Sequence, residues 1–288
     1  MSSNWIPYRF VQACAILAIA TPLGVKAAPP PIFPMDHVFK SEKNTVKLAA
    51  LLKELGYAGV CTTPALFSPE QDKIMKEHGL KIMATYVRAP TKDADPAVPE
   101  ELVEHFRLLK GRDTAIWLVV PDTKDEERAV AAIREVCDSA QQHGLKNVVL
   151  YPHVGATTDT VASCLRLIKL AERPGLKLSF NLCHFLRQND IAKLDETLVA
   201  AAPHLALVQV NGADRTSESI STKQGKAAWA EFIQPLGEGN LDMAGLLKRL
   251  DELGYQGPFA FQTYSLDPPA SEYLKQSMDA WKKLHSSR

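Results

Sequence analysis

The chain of 288 residues balances 33 Lys and Arg against 33 Asp and Glu, with 46% hydrophobic residues. That length and apolar content suit one large globular domain or two small ones. The charge balance leaves no electrostatic basis for holding nucleic acid or anionic lipid, so neither is expected as a partner.

The first residues differ in character from the rest. "MSSNWIPYRF" carries Arg9 and no acid, "VQACAILAIATPLGV" is almost wholly apolar, and "VKAA" offers small residues near Ala27 or Ala28. Charge, apolar run and small residues in that order predict a signal peptide over 1–28 and a mature domain over 29–288. The protein is therefore expected to be exported, to the periplasm or beyond the cell. The apolar run is shorter than the roughly 20 residues that cross a bilayer, so no stable span is expected after cleavage. Cys61, Cys137, Cys164 and Cys183 remain, with no C-x-x-C pair. That spacing disfavours zinc-ribbon and thioredoxin-like chemistry and leaves buried, mostly free thiols as the expectation.

Beyond the Pro-rich "APPPIFP", short apolar runs alternate with longer amphipathic ones. Strands are predicted at 32–37 and 59–63, at 81–88 ("KIMATYVR") and at 115–120 ("AIWLVV"). Further strands are predicted at 147–153 ("NVVLYPH"), 177–184 ("KLSFNLCH"), 205–212 ("LALVQVNG") and 259–265 ("FAFQTYS"). Between them "TVKLAALLKEL", "ERAVAAIREVCDSAQQ" and "DMAGLLKRLDEL" place apolar residues at helical spacing. One junction recurs: "ELGYAG" at 54–59 and "ELGYQG" at 252–257 each close a helix ahead of a strand. Eight strand-then-helix units in about 260 residues predict an α/β fold, a single-domain (β/α)₈ barrel. An open doubly wound sheet is disfavoured, because no glycine-rich phosphate loop follows the first strand. The longest interval, 213–258, is a candidate lid or substrate wall.

In such barrels chemistry gathers where strands end in loops. Those ends offer Asp36 with His37, Thr62 with Thr63, Tyr86 with Arg88, Asp122, Tyr151 with His153, and Asn181 with His184. The last strands add Gln209 with Asn211, Asp214 beyond them, and Gln262 with Tyr264. Amides, phenols and imidazoles around few charges suit a polyhydroxylated ligand, since each hydroxyl both donates and accepts.

The segments "NVVLYPHVG", "LKLSFNLCH", "LVQVNGAD" and above all "LGEGNLDMAGLLKRLDELGYQGPFAFQ" resemble the xylose-isomerase-like TIM-barrel superfamily of sugar isomerases and epimerases. The resemblance spans nearly the whole mature chain. It implies a sugar substrate and a divalent metal held by Glu, Asp, His and Glu on strands five to eight. Here Tyr151, Asn181, Gln209 and Gln262 fall at those positions. Neutral amides hold hard divalent ions weakly, so no metal and no other cofactor is expected, with a weak or transition-metal site at His153 and His184 left open.

The expected chemistry is proton abstraction beside a carbonyl of a sugar or keto-sugar, leading to epimerisation, isomerisation or elimination. His153 and His184 are the candidate acid and base, with Asp36, Asp122 and Asp214 as alternative bases. The same histidines could instead ligate a metal, or bond to loop carbonyls and only shape the rim. Tyr151, Asn181, Gln209, Asn211 and Gln262 are expected to hold hydroxyls. Arg88 would clamp an anionic group or form a rim ion pair. Other readings are a sugar-binding barrel without catalysis, a lyase of keto-glycosides, and a two-carboxylate hydrolase using Asp36 and Asp214.

Overall fold

A computed structural model describes residues 29–89, 98–123, 125–214, 225–267 and 269–286. The expected signal peptide, 1–28, lies outside the described residues, as does the stretch 215–224 of the long interval.

Eight parallel strands form the barrel: β1 (Ile32–Pro34), β2 (Gly59–Thr62), β3 (Lys81–Arg88), β4 (Ala115–Val119), β5 (Val148–Leu150), β6 (Lys177–Asn181), β7 (Leu205–Val210) and β8 (Phe259–Phe261). From β2 to β8 each strand pairs with the next, and β8 pairs with β1. The seam between β1 and β2 is drawn together by Ala58 N–H donating to Ile32 O at 3.0 Å. The helices in chain order are α1 (Val38–Ser41), α2 (Thr45–Leu55), α3 (Pro69–Glu77), α4 (Glu100–Leu108) and α5 (Glu126–Gln142). They continue as α6 (Val161–Ala171), α7 (Leu182–Gln188), α8 (Leu194–Ala201), α9 (Met243–Glu252) and α10 (Ala270–Ser286).

Local sequence explains where the helices start and stop. Ser68 and Gln71 form a reciprocal capping box with Pro69 at the first helical position of α3. Asp125 accepts the backbone N–H of Arg128 at 3.0 Å, so the acidic run opens α5. Gly56 and Gly254, the glycines of the two matching junctions, have φ of 92° and 79°. A side chain would strain that left-handed turn, which ends one helix and aims the chain at the next strand.

Strand alternation sorts the core into two layers. Phe33, Trp117, Val119, Val149, Leu207 and Ala260 fill the barrel interior. Their neighbours Ile116, Leu118, Val148, Val208 and Phe261 pack outward against the helices. Inside the barrel, Trp117 Nε1–H donates to Ser179 Oγ at 2.7 Å, so its one polar atom is partnered.

Several strands stop short of their apolar runs. The sixth ends at Asn181, and Leu182 already begins α7, so His184 stands on a helix and not on a strand. The "G-E-G" segment is structural. A Cβ on Gly239 would collide with the carbonyl oxygen of Ala213, and one on Gly212 with that of Pro235. Cys61, Cys137, Cys164 and Cys183 are free thiols. Burial pushes Cys137 and Cys183 up to about 12, which keeps both protonated and poorly nucleophilic. Among the described residues no helix is long and apolar enough to cross a membrane.

Candidate active site

A cavity of about 260 Å³ opens at the C-terminal ends of the strands, where the barrel architecture brings loops together. Of the residues expected there, Asp36, Tyr151, His153, His184 and Gln262 line it. Tyr86, Tyr264 and His37, each noted at a strand end, line it too. β1 and β5 lie opposite one another in the eight-membered order. Asp36 and His37, just past β1, therefore face Tyr151 and His153 just past β5.

His153 and His184 meet with ring centroids 4.4 Å apart. Their environments fix complementary protons. His153 Nδ1 lies 2.8 Å from the carbonyl of Val154, which can only accept, so this nitrogen carries the hydrogen. Nε2 of His153 then keeps its lone pair. The N–H of the same Val154 donates to Nδ1 of His184 at 3.2 Å, so Nδ1 is the acceptor there and Nε2 carries the proton. Burial, with the positive charge of Arg88 behind it, holds the pKa of His153 below the usual imidazole range. Burial and the neighbouring His153 hold that of His184 well below it. Both rings are neutral at neutral pH, one with a free acceptor and one with a free donor.

The floor is a neutral network. Gln209 Nε2 donates to the Tyr151 hydroxyl at 3.0 Å. The Cys183 thiol donates to Gln209 Oε1 at 3.3 Å, and Gln262 Nε2 reaches Cys183 Sγ at 3.9 Å. Gln262 Oε1 accepts two backbone N–H groups, those of Thr263 and Tyr264, each at 2.9 Å. Burial and the nearby Cys183 push the Tyr151 phenol well above its ordinary range, so it stays protonated. The amide oxygens of Gln209 and Gln262 are thus already committed within the fold. Residues holding their donor atoms this way do not fit the divalent ion implied by the resemblance.

Other expected residues lie away from the cavity. Asn181 donates to Pro152 O at 3.0 Å and borders a separate depression beside the start of α6. Asn211 is fully buried and its Nδ2 bonds the carbonyls of Gly212 and Phe232, where it pins the chain leaving β7. Asp214 accepts from Gln234 Nε2 at 2.8 Å and braces the following connection. It does not line the cavity, so the structure does not pair it with Asp36 as a hydrolase would require. Asp122 is exposed outside it. Gln209 lies under the floor and meets the cavity-lining residues through its network, Tyr151 directly and Gln262 by way of Cys183. Arg88 stands on the rim, its Nη1 donating to Tyr86 Oη at 3.2 Å.

Three wall residues escaped sequence reasoning, Met35, Trp229 and Ile233. The last two come from the long connection after β7. The ring of Trp229 meets His184 edge-on at 5.2 Å, and Arg187 lies against the indole at 5.7 Å. Arg187 also donates to Ala228 O at 2.9 Å, which fixes the approach of Trp229. The only signal in the sequence is the i, i+3, i+4 spacing of Trp229, Phe232 and Ile233 within a polar stretch.

The description "xylose isomerase-like TIM barrel" matches residues 40–284. The chain belongs to that family. No curated protein matches its sequence. Among solved structures, D-allulose 3-epimerase from Methylomonas sp. superposes with a TM-score of 0.65 at 17% identity, over 89% of this chain and 98% of that one. An L-ribulose 3-epimerase gives 0.66 at 18% identity, over 90% and 95% of the two chains. The probable 3-DHS dehydratase AsbF from Bacillus anthracis gives 0.68 at 15% identity, over 88% and 98%. At such identities the likeness establishes the barrel in this family member and leaves its chemistry to its own side chains.

Proposed function

We propose that this protein is an exported proton-transfer enzyme acting on a sugar or keto-sugar. It removes a proton from the carbon beside a carbonyl, and epimerisation, isomerisation or elimination follows. One observation carries the reading: through its carbonyl and its N–H, Val154 leaves His153 with a free Nε2 lone pair and His184 with a free Nε2–H. A neutral imidazole with an unshared pair is a general base, and a neutral imidazole N–H can polarise a carbonyl and steady the enolate that forms. His153 Nε2 takes the proton from carbon while His184 Nε2–H donates to the carbonyl oxygen, whose negative charge grows as the C–H bond breaks. Return of the proton to the former carbonyl carbon, with the adjacent hydroxyl passing its proton to the enolate oxygen, gives isomerisation, and expulsion of a β-substituent with its bonding pair gives elimination. In an epimerisation Asp36, which lines the opposite wall, would exchange protons with the other face of the carbon. Trp229, Tyr86 and Tyr264 supply apolar faces against which sugar C–H groups can lie.

The test is exchange of substrate C–H for deuterium in D₂O, followed by NMR over a panel of sugars, keto-sugars and their acids. Exchange that His153→Ala lowers by about 10²–10⁴-fold, with binding retained, supports the proposal. Ligand binding with no exchange in the parent protein would instead support a sugar-binding barrel without catalysis.

A further inference from the structure

We infer that the substrate is a sugar acid, a uronate or keto-aldonate, whose carboxylate is held by Arg88. This rests on the proposed proton-transfer reading and names the substrate class of the same cavity.

Among the described residues, formal charge around the mouth is sparse and uneven. His153 and His184 are neutral, Tyr86 and Tyr151 stay protonated, and Gln262 and Trp229 carry no charge. The one carboxylate lining the cavity, Asp36, has His37 Nδ1 3.2 Å from its Oδ1. Arg88 closes β3 two residues past the cavity-lining Tyr86, to whose hydroxyl it donates, and it is exposed with no carboxylate partner among the described residues. A guanidinium has more donors than the single contact to Tyr86 uses, and its planar fork matches a carboxylate with two parallel bonds.

Arg88 is also joined to the reacting end by a continuous wall. It donates to the Tyr86 hydroxyl, which leaves the Tyr86 O–H free to donate in turn. The Tyr86 ring packs edge-on against Tyr151 at 5.4 Å, and Tyr151 lies 5.8 Å from His153. A sugar acid lying along this wall places its carboxylate at Arg88, its hydroxyls over the two tyrosines, and its carbonyl end at the histidines. A neutral sugar would leave the cation without a partner.

The experiment is calorimetric titration of the full chain with D-glucuronate and 2-keto-D-gluconate, each against its neutral counterpart, D-glucose or D-fructose. Wild type, Arg88→Gln and Arg88→Lys are compared, and the exchange assay is run on the same samples. The acids should bind at least about tenfold more tightly than the neutral sugars, as a charge-assisted bidentate contact warrants. Arg88→Gln should erase the difference and Arg88→Lys should keep part of it. Because Arg88 is exposed, neither variant threatens the fold. Equal binding of acids and neutral sugars, a preference that survives Arg88→Gln, or silence of both acids overturns the inference. Acid-selective binding without exchange would uphold Arg88 while overturning proton transfer. Exchange confined to neutral sugars would do the reverse.

Discussion

His153 and His184 lie with ring centroids 4.4 Å apart, and a single backbone unit, Val154, holds them in opposite tautomers. Identical side chains thereby become a base and a donor without either gaining charge. Two cationic rings at that separation would repel, and burial opposes each charge further. Long-range ¹H–¹⁵N correlation of the imidazoles reads the arrangement directly. His153 should carry its proton on Nδ1 and His184 on Nε2 at pH 7. Matching tautomers, or an imidazolium signal from either ring, would remove the proposed division of labour.

Removal of metal ions should change nothing. Tyr151, Gln209 and Gln262 already spend their polar atoms on one another, on Cys183 and on backbone N–H groups. No cluster of three or more His, Cys, Asp or Glu able to hold a metal occurs among the described residues. Chelator treatment is therefore expected to leave both the melting temperature and the exchange rate of the purified protein unmoved. A stoichiometric metal whose removal lowers the melting temperature, and whose loss accompanies His153→Ala, would turn the two imidazoles into ligands.

The barrel was legible in the sequence because each unit repeats one physical pattern, an apolar run, an amphipathic helix and a glycine that turns the chain back. The strand ends were less legible. "LCHFL" continues the apolar run of β6, yet Leu182, Cys183, Phe185 and Leu186 are buried within α7. A short run buried on all sides shows neither strand nor helix period, so composition could not mark the change at Asn181. The site was visible in part. Asp36, Tyr151, His153, His184 and Gln262 come together because strand ends converge. Asn181, Asn211 and Asp214 are polar residues of similar placement whose partners are Pro152, Phe232 and Gln234. Only the folded chain distinguishes an amide that meets a ligand from one that holds a turn. Trp229 was hidden for the opposite reason, since its loop returns to the cavity from a long way along the chain.

Stability should fall as the solution is acidified through the imidazole range. His105 is buried, its Nε2 lies 2.8 Å from Thr85 Oγ1, and burial together with Arg112 lowers its pKa from 6.5 to about 4. In the unfolded chain it takes a proton near 6.5, whereas the folded chain resists one until about 4. Stability is therefore fully present above pH 6.5 and is lost as the pH falls toward 4. His153 and His184 are depressed in the same direction and add to the loss. Full protonation of the His105 site corresponds to on the order of 3 kcal/mol. Melting curves from pH 7 to pH 4 should show the decline, and His105→Gln should flatten it. A variant with the parental slope would place the acid sensitivity elsewhere.

The bond between Tyr151 and Gln209 carries a final prediction about the floor of the site. Both side chains are fully buried within the barrel, so neither can replace a lost partner with solvent. Tyr151→Phe strands Gln209 Nε2 and should cost about 1–3 kcal/mol, the range for a buried donor left unsatisfied. In a domain of this size that is a fall of roughly 2–4 °C per kcal/mol. Gln209→Leu removes the other partner and frees the Cys183 thiol as well. If the network has the form described, the double variant should be less destabilised than the two single losses added together, because the second substitution removes the group that the first left orphaned. A coupling of about 0.5–3 kcal/mol is then expected from denaturant melts. Strict additivity would mean that Tyr151 and Gln209 contribute separately and that the floor is held by packing alone.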